Sequence, residues 1–108
     1  MKILMGLQAS YKTTDNVDKL KEREEWFVSG LSSLSHIDNF MSVSDCYYFD
    51  NTINEEKELP ETILSNIPKS ADKIFDTNPN QYGKINTGAG NIEMLLHQKE
   101  RIKNYDWY

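Results

Sequence analysis

Cysteine is nearly absent from the 108-residue sequence: Cys46 stands alone, so no disulfide can form within the chain. No apolar run is long enough to span a bilayer. The first apolar run, at residues 3–7, is too short for a secretory signal peptide and is typical of a strand. A chain without disulfides or an export signal suits a reducing compartment, so these absences predict a cytoplasmic protein.

Positive charge is also scarce. The chain has 12 basic and 17 acidic residues, a net charge of −5, and its basic residues are scattered along the sequence. Proteins that bind long nucleic acids need a basic surface to neutralise phosphates, and anionic membrane surfaces attract basic segments. The composition therefore predicts neither a long nucleic acid partner nor a membrane span.

Side chains that bind metals or attack substrates are few. His36 and His97 are far apart, Cys46 is isolated, and no pair has the spacing of a metal site, so no metal site is predicted. Cys46 and His36 could be assembled into a nucleophile pair, but nothing in the sequence distinguishes Cys46 from a buried strand thiol. The catalytic residues stay unassigned.

The pattern of apolar residues predicts alternating strands and helices. The predicted strands are 3–8, 44–50, 72–76 and 105–108, and the predicted helices are 17–34, 60–67 and 92–103. Such an order with short connections indicates a single α/β domain over residues 1–108, a small open sheet of about four mostly parallel strands with helices on its faces. This architecture is Rossmann-like.

The spacing also predicts which helix faces are buried. In the last helix, Ile92, Leu95, Leu96 and Ile102 lie on one side and are expected to pack against the sheet. In the first helix, Arg23 belongs to the charged side and is expected to be solvated.

Polar or small residues follow the first two predicted strands. Gln8, Ala9 and Ser10 end the first strand, and Asp50 with Asn51 ends the second. In open α/β sheets, ligands bind outside the carboxyl ends of the strands, so the two sets are expected to converge on one crevice. An aspartate after a strand is also a common turn former, and that interpretation stays open.

A glycine-rich stretch supplies a third candidate. Residues 77–90 are predicted to form a loop, and residues 86–91, Asn-Thr-Gly-Ala-Gly-Asn, lead into the last helix. Glycines let the backbone approach a ligand, and free amide hydrogens at a helix start attract phosphate or carboxylate. The stretch is not a Walker loop and lacks the third glycine of a dinucleotide fingerprint. A ligand loop and an ordinary flexible loop both remain open.

Several of these segments together resemble a known family. They are the strand at 2–7, the strand end at 48–50, the stretch from 82 through 90, and the Tyr-Asp-Trp sequence at 105–107. They resemble the N-terminal, nucleotide-sugar-binding half of an A-type (GT-A) glycosyltransferase. In that family an Asn-x-Gly-x-Gly loop precedes a helix, and a Tyr-Asp pair begins the strand that leads to a metal-binding Asp-x-Asp.

The resemblance implies a nucleotide sugar as ligand. The implied nucleotide-binding residues are Gln8, Ala9 and Ser10 in the pocket, Asp50 near the base, and Asn86, Gly88 and Gly90 near the nucleotide and its phosphates. The sequence stops at Tyr108, before the Asp-x-Asp and the catalytic base, so we expect a fragment of a longer protein and no sugar transfer by these residues alone. Divalent metal, Mn²⁺ or Mg²⁺, is expected only if the full enzyme supplies its ligands.

A function of another class fits the same composition. The chain could be a small acidic interaction protein, of the immunity or phage-inhibitor type, that binds a protein partner. The acidic stretch Glu22–Glu25 with Trp26 would then cover a basic surface on that partner. This alternative requires an exposed patch, whereas nucleotide binding requires convergent strand ends.

Overall fold

The computed structural model describes residues 2–34, 45–77 and 87–108. The elements in chain order are β1 (Leu4–Ala9), α1 (Val17–Leu34), β2 (Asp45–Asp50), a 3-10 turn (Glu56–Glu58), α2 (Glu61–Leu64), β3 (Asp72–Phe75) and α3 (Thr87–Ile102). Within this described part, β1, β2 and β3 form a parallel sheet in that order. The predicted α/β class with a small open parallel sheet is confirmed.

The central strand β2 organises the core. Its residues 46–49 are buried on both faces, as is usual for a strand inside a parallel sheet. Because side chains alternate across a strand, Tyr48 packs with Ile53 and Ile63 on the face of the sheet that carries α1 and α2. Tyr47 and Phe49 pack on the opposite face, which α3 covers. Helices therefore lie on both faces of the sheet.

The predicted fourth strand is reduced to one parallel bridge between Ile3 and Trp107. The Leu4 amide donates to the Trp107 carbonyl at 2.9 Å. Since β2 occupies one edge of β1, Trp107 lies at the other edge, and the order across the sheet is Trp107, β1, β2, β3. The chain moves outward from β1 to β3 and then returns to the far side of β1. In doubly wound folds this reversal is where ligand crevices form.

Helix α3 begins earlier than the sequence predicts. Gly88 and Gly90 lie in its first turn, not in a loop. The prediction of a loop was therefore wrong for residues 87–90, because a helix can include glycine at a cost of about 1 kcal/mol when its other residues pack well. The rest of that predicted loop, residues 78–86, lies outside the described residues.

The prediction of the buried face of α3 was wrong in large part. Met94 is buried against the sheet, whereas Ile92, Leu95 and Leu96 are exposed; only Ile102 packs against the core as predicted. Polar contacts set the rotation of the helix: Arg101 pairs with Asp72 at 2.9 Å and His97 lies 3.7 Å from Asp76, both at β3. These contacts turn part of the apolar stripe away from the sheet.

Candidate functional site

The end of β1 carries a chain of hydrogen bonds that leads to the end of β2. Gln8 Nε2 donates to Ser10 Oγ at 2.9 Å, and Ser10 Oγ donates to Asn51 Oδ1 at 2.7 Å. Ala9 and Ser10 are buried, while Gln8 keeps part of its side chain in solvent. The structure thus brings together the predicted strand-end residues of β1 and Asn51, as the parallel register requires.

Asp50 is completely buried and accepts hydrogen bonds on both carboxylate oxygens. Oδ1 accepts from the Thr52 amide at 2.8 Å and from Thr52 Oγ1 at 2.6 Å; Oδ2 accepts from the Tyr11 amide at 3.3 Å and from the Tyr48 hydroxyl at 3.4 Å. Burial raises the pKa of the Asp50 carboxyl, and the hydrogen bonds from Thr52 oppose that shift. The carboxylate therefore ties the loop after β1 to the turn after β2.

The hydrogen-bond chain continues from Asn51 into helix α3. Asn51 Nδ2 donates to Glu93 Oε2 at 2.8 Å, which fixes the N-terminal part of α3 over the end of β2. Glu93 Oε1 is the one buried side-chain oxygen without a hydrogen-bond partner in the part of the chain that the structure describes. Buried polar atoms are almost always paired, so a donor from a ligand hydroxyl or a water would complete this group.

The first turn of α3 brings backbone amides to the same region. Gly88 is the second residue of the helix, and the amide hydrogens of its first three residues have no partner within the helix; Gly90 follows as the fourth residue. Asn86 lies outside the described residues. Because Glu93 is held at the end of β2, the start of α3 faces the strand ends, and its partial positive charge favours an anionic group there.

Arg23 holds the loop between β1 and α1. Its Nε donates to the Tyr11 carbonyl at 3.0 Å, and Nη2 donates to the Ser10 carbonyl. The guanidinium also lies over the Phe27 ring, 5.5 Å from its centroid. The expectation that Arg23 is solvated was wrong, because its long side chain reaches back from α1 to carbonyls that the strand no longer pairs.

We expect Arg23→Ala to lower the free energy of unfolding by about 1–2 kcal/mol, because two charge-assisted hydrogen bonds to carbonyls are lost. Urea unfolding followed by circular dichroism measures the change. Lys19→Ala, an exposed position one turn earlier in α1, is the matched control and should stay within about 0.5 kcal/mol of the parent chain. Equal losses in the two variants would show that Arg23 does not hold the loop.

Sequence reasoning found some of these groups and missed others. It found Gln8, Ser10, Asp50 and Asn51 from their place after strands. It gave no site role to Glu93, although an acid near a helix start, following glycines, was visible in the sequence. The contributions of Tyr11 and Arg23 have no local sequence signal, because each depends on a partner 12 or more positions away. Thr52 is different, because it donates to Asp50 only two residues earlier.

The described residues offer little support for a nucleophile at Cys46. The thiol is buried on β2, and burial raises its pKa to about 11, so it is protonated at neutral pH. His36, the partner considered from the sequence, lies outside the described residues. The sequence interpretation of Cys46 as a buried strand thiol agrees with its position.

Comparisons with known proteins return no relative: no protein-family model, curated protein or solved structure matches the chain. Among residues 2–34, 45–77 and 87–108, no three histidine, cysteine or acidic side chains group as metal ligands would. In the same ranges, no helix is both long enough and apolar enough to cross a membrane.

Proposed function

We propose that this chain binds a nucleotide sugar in the cytoplasm, as the nucleotide-binding part, or a relative of that part, of a glycosyltransferase. The observation that carries the proposal is the reversal of strand order at β1, with the ends of β1 and β2 beside the start of α3. Open α/β folds bind ligands at this point. The ligand lies outside the carboxyl ends of β1 and β2.

The groups around this crevice have different roles in binding the ligand. The amides of the first residues of α3, Gly88 among them, receive the diphosphate, because they are free donors at the positive end of a helix dipole, and Gly90 adds no side chain beside them. Gln8, which is partly exposed, contacts the ligand from the end of β1. Asp50 and Asn51 are fully buried and internally bonded, so they set the shape of the crevice from beneath.

The proposal concerns binding and leaves sugar transfer aside. The sequence contains no Asp-x-Asp, the motif with which the glycosyltransferases that it resembles hold their metal. Glu93 Oε1 adds a buried acceptor beside the crevice, and the hydroxyl groups of ribose and sugars are donors. Binding of a hydroxyl-rich anion therefore uses both the amides of α3 and this acceptor.

Isothermal titration of the chain with UDP-glucose, GDP-mannose and their nucleoside diphosphates tests the proposal. We expect saturable binding of at least one of them, and at least about tenfold weaker binding by Gly88→Val, since a branched side chain in the first turn keeps the phosphates from the amides. Gly30→Val is the matched control. It lies in α1 with open space around it and should bind like the parent chain.

Absence of binding to every compound of the panel, with and without Mg²⁺ or Mn²⁺, would contradict the proposal. Equal loss of affinity in Gly88→Val and Gly30→Val would contradict the assigned position of the phosphates. In the first case the acidic interaction protein becomes the better hypothesis, and the exposed Trp26 beside Glu22 and Glu25 is the feature that favours it.

A further inference from the structure

Glu93 holds an unused hydrogen-bond acceptor between the core and the strand-end crevice. Its Oε2 accepts from Asn51 Nδ2 at 2.8 Å, whereas its Oε1 is buried and has no partner, a state that no other side-chain atom of the described residues shares. A buried carboxylate oxygen without a donor is costly, because nothing replaces the water that it has lost. The arrangement therefore points to a donor that the chain itself does not supply.

A chain of hydrogen bonds sets the orientation of this carboxylate. Ser10 Oγ donates to Asn51 Oδ1 at 2.7 Å, so the Asn51 amide turns its nitrogen toward Glu93. Ser10 and Asn51 are buried, which keeps these bonds away from solvent. Because Oε2 is occupied in this way, Oε1 is the oxygen of Glu93 that is left for a ligand.

Glu93 is also suitably placed relative to the phosphate-binding turn of α3. It follows Gly88 by five residues, about 7.5 Å along the helix axis, and its contact with Asn51 places it on the side of α3 that faces the strand ends. Helical side chains lean toward the N-terminal end, so the carboxylate reaches back toward the free amides. In a nucleotide the ribose hydroxyls are likewise set back from the phosphates. A ligand whose diphosphate meets the first turn therefore brings its ribose toward Glu93.

Burial distinguishes the ribose from the second sugar of a nucleotide sugar. Glu93 as a whole is partly exposed, and the last side-chain torsion of a glutamate rotates easily, so a small rotation brings Oε1 to a hydroxyl at the wall of the crevice. The sugar that a transferase passes on must stay open to an acceptor molecule, which an enclosed group would hinder. The ribose stays with the nucleotide and can be held at the wall.

We infer that Glu93 makes this chain select ribonucleotides, because its Oε1 accepts a hydrogen bond from a ribose hydroxyl. The inference rests on the proposed function, and it adds which part of the ligand Glu93 contacts and which class of nucleotide is rejected. A deoxyribonucleotide leaves Oε1 buried and unpaired in the complex. Sites built to hydrogen-bond a hydroxyl discriminate strongly against analogues that lack it, for this reason.

Isothermal titration of the 108-residue chain with UDP, GDP and the 2′-deoxy and 3′-deoxy counterparts of each tests the inference. We expect a ribonucleotide to bind at least about tenfold more tightly than one of its two deoxy counterparts, since the deoxy compound loses a hydrogen bond to a charged group. This comparison uses the unaltered chain, so no effect of a substitution on folding can disturb it.

Glu93→Gln identifies the group that is responsible. Glutamine has nearly the same shape, and its oxygen can keep the bond from Asn51 while its nitrogen takes the place of Oε1, so a donor replaces the free acceptor. We expect this variant to bind the ribonucleotide about tenfold more weakly and the discriminated deoxy counterpart with unchanged affinity. Glu100→Gln is the matched control, because Glu100 lies further along α3 with a side chain that is 74% exposed and paired with Lys103. It should bind both compounds like the parent chain.

The possible outcomes separate this inference from the proposed function. If the parent chain binds ribonucleotides and both deoxy counterparts equally well, the proposed function stands and the ribose contact is wrong. A loss in Glu93→Gln that appears with UDP-glucose but not with UDP would also overturn the inference, because the hydroxyl would then belong to the second sugar. Equal weakening of ribonucleotide and deoxyribonucleotide would show that Glu93 only shapes the crevice. Absence of binding to every compound would overturn the proposed function and this inference with it.

Discussion

Replacing Asp50 by alanine is expected to lower the free energy of unfolding by about 2–4 kcal/mol. The carboxylate is fully buried and accepts from two backbone amides and two hydroxyls, of Tyr11, Tyr48 and Thr52. Alanine leaves these donors buried without an acceptor. Small domains have only about 5–15 kcal/mol of stability, so the loss is a large part of the total.

Urea unfolding of the Asp50→Ala variant measures this change. Asp76→Ala is the matched control, because Asp76 also follows a strand, yet its side chain is half exposed and its contact with His97 is 3.7 Å long. We expect a loss below about 1 kcal/mol there. If both aspartates proved equally costly to remove, the buried carboxylate would not be what joins the two strand ends.

Burial of the Asp50 carboxyl also predicts how the stability of the protein changes with pH. Burial raises its pKa in the folded protein above the unfolded value of about 3.9. The folded state therefore binds the proton more tightly, and the stability that this contributes is present below about pH 4 and lost as pH rises through the folded pKa. The stability of the parent chain relative to Asp50→Asn should fall as pH rises from about 4 to 7. A rise over that interval would mean that the hydrogen bonds outweigh burial.

Gly6→Ala is expected to cost about 2–3 kcal/mol, since the added carbon overpacks the sheet. A Cβ at this position would lie 2.6 Å from the Tyr47 hydroxyl oxygen and 2.9 Å from that of Tyr108. The two hydroxyls are hydrogen-bonded to each other, and Tyr47 is completely buried. Either the Tyr47 ring shifts within the core or Tyr108 leaves its place.

Gly30→Ala is expected to have the opposite effect and to raise the free energy of unfolding. A Cβ at Gly30 meets nothing within 4 Å, and alanine is favoured over glycine inside a helix by about 0.5–1 kcal/mol, so α1 should be stabilised. Thermal or urea unfolding of the two variants compares them directly. If Gly6→Ala left the free energy of unfolding unchanged, Tyr108 would move aside at no cost in stability. The close packing at Gly6 would then contribute nothing to stability.

The elements of the fold were largely predictable from local patterns. α1 begins and ends at the residues that apolar spacing predicts, and β2 and β3 follow from short apolar runs that end in turn-forming residues. The start of α3 was not predictable, because glycines at 88 and 90 indicate a loop by local preference. Its rotation was not predictable either, since Asp72 and Asp76 draw Arg101 and His97 inward.

The position of the candidate site was predictable from the sequence, but the role of each of its residues was not. Gln8, Ser10, Asp50 and Asn51 were predicted as site residues from their place at strand ends, because parallel strands bring their carboxyl ends to one edge of the sheet. Sequence alone left Asp50 as either a ligand-facing acid or a turn former. The structure instead places it beneath the surface, with both oxygens occupied.

What the sequence by itself determined is the alternation of strands and helices, the parallel sheet and the absence of an internal disulfide. The strands and helices follow from apolar periodicity, which is a pattern among neighbouring residues, and the missing disulfide follows from composition. Only the tertiary structure decided that Asn51 reaches Glu93 and that Arg23 holds the loop after β1. Such features depend on pairs of groups far apart in the chain, and their burial and contacts exist only once the sheet has brought them together.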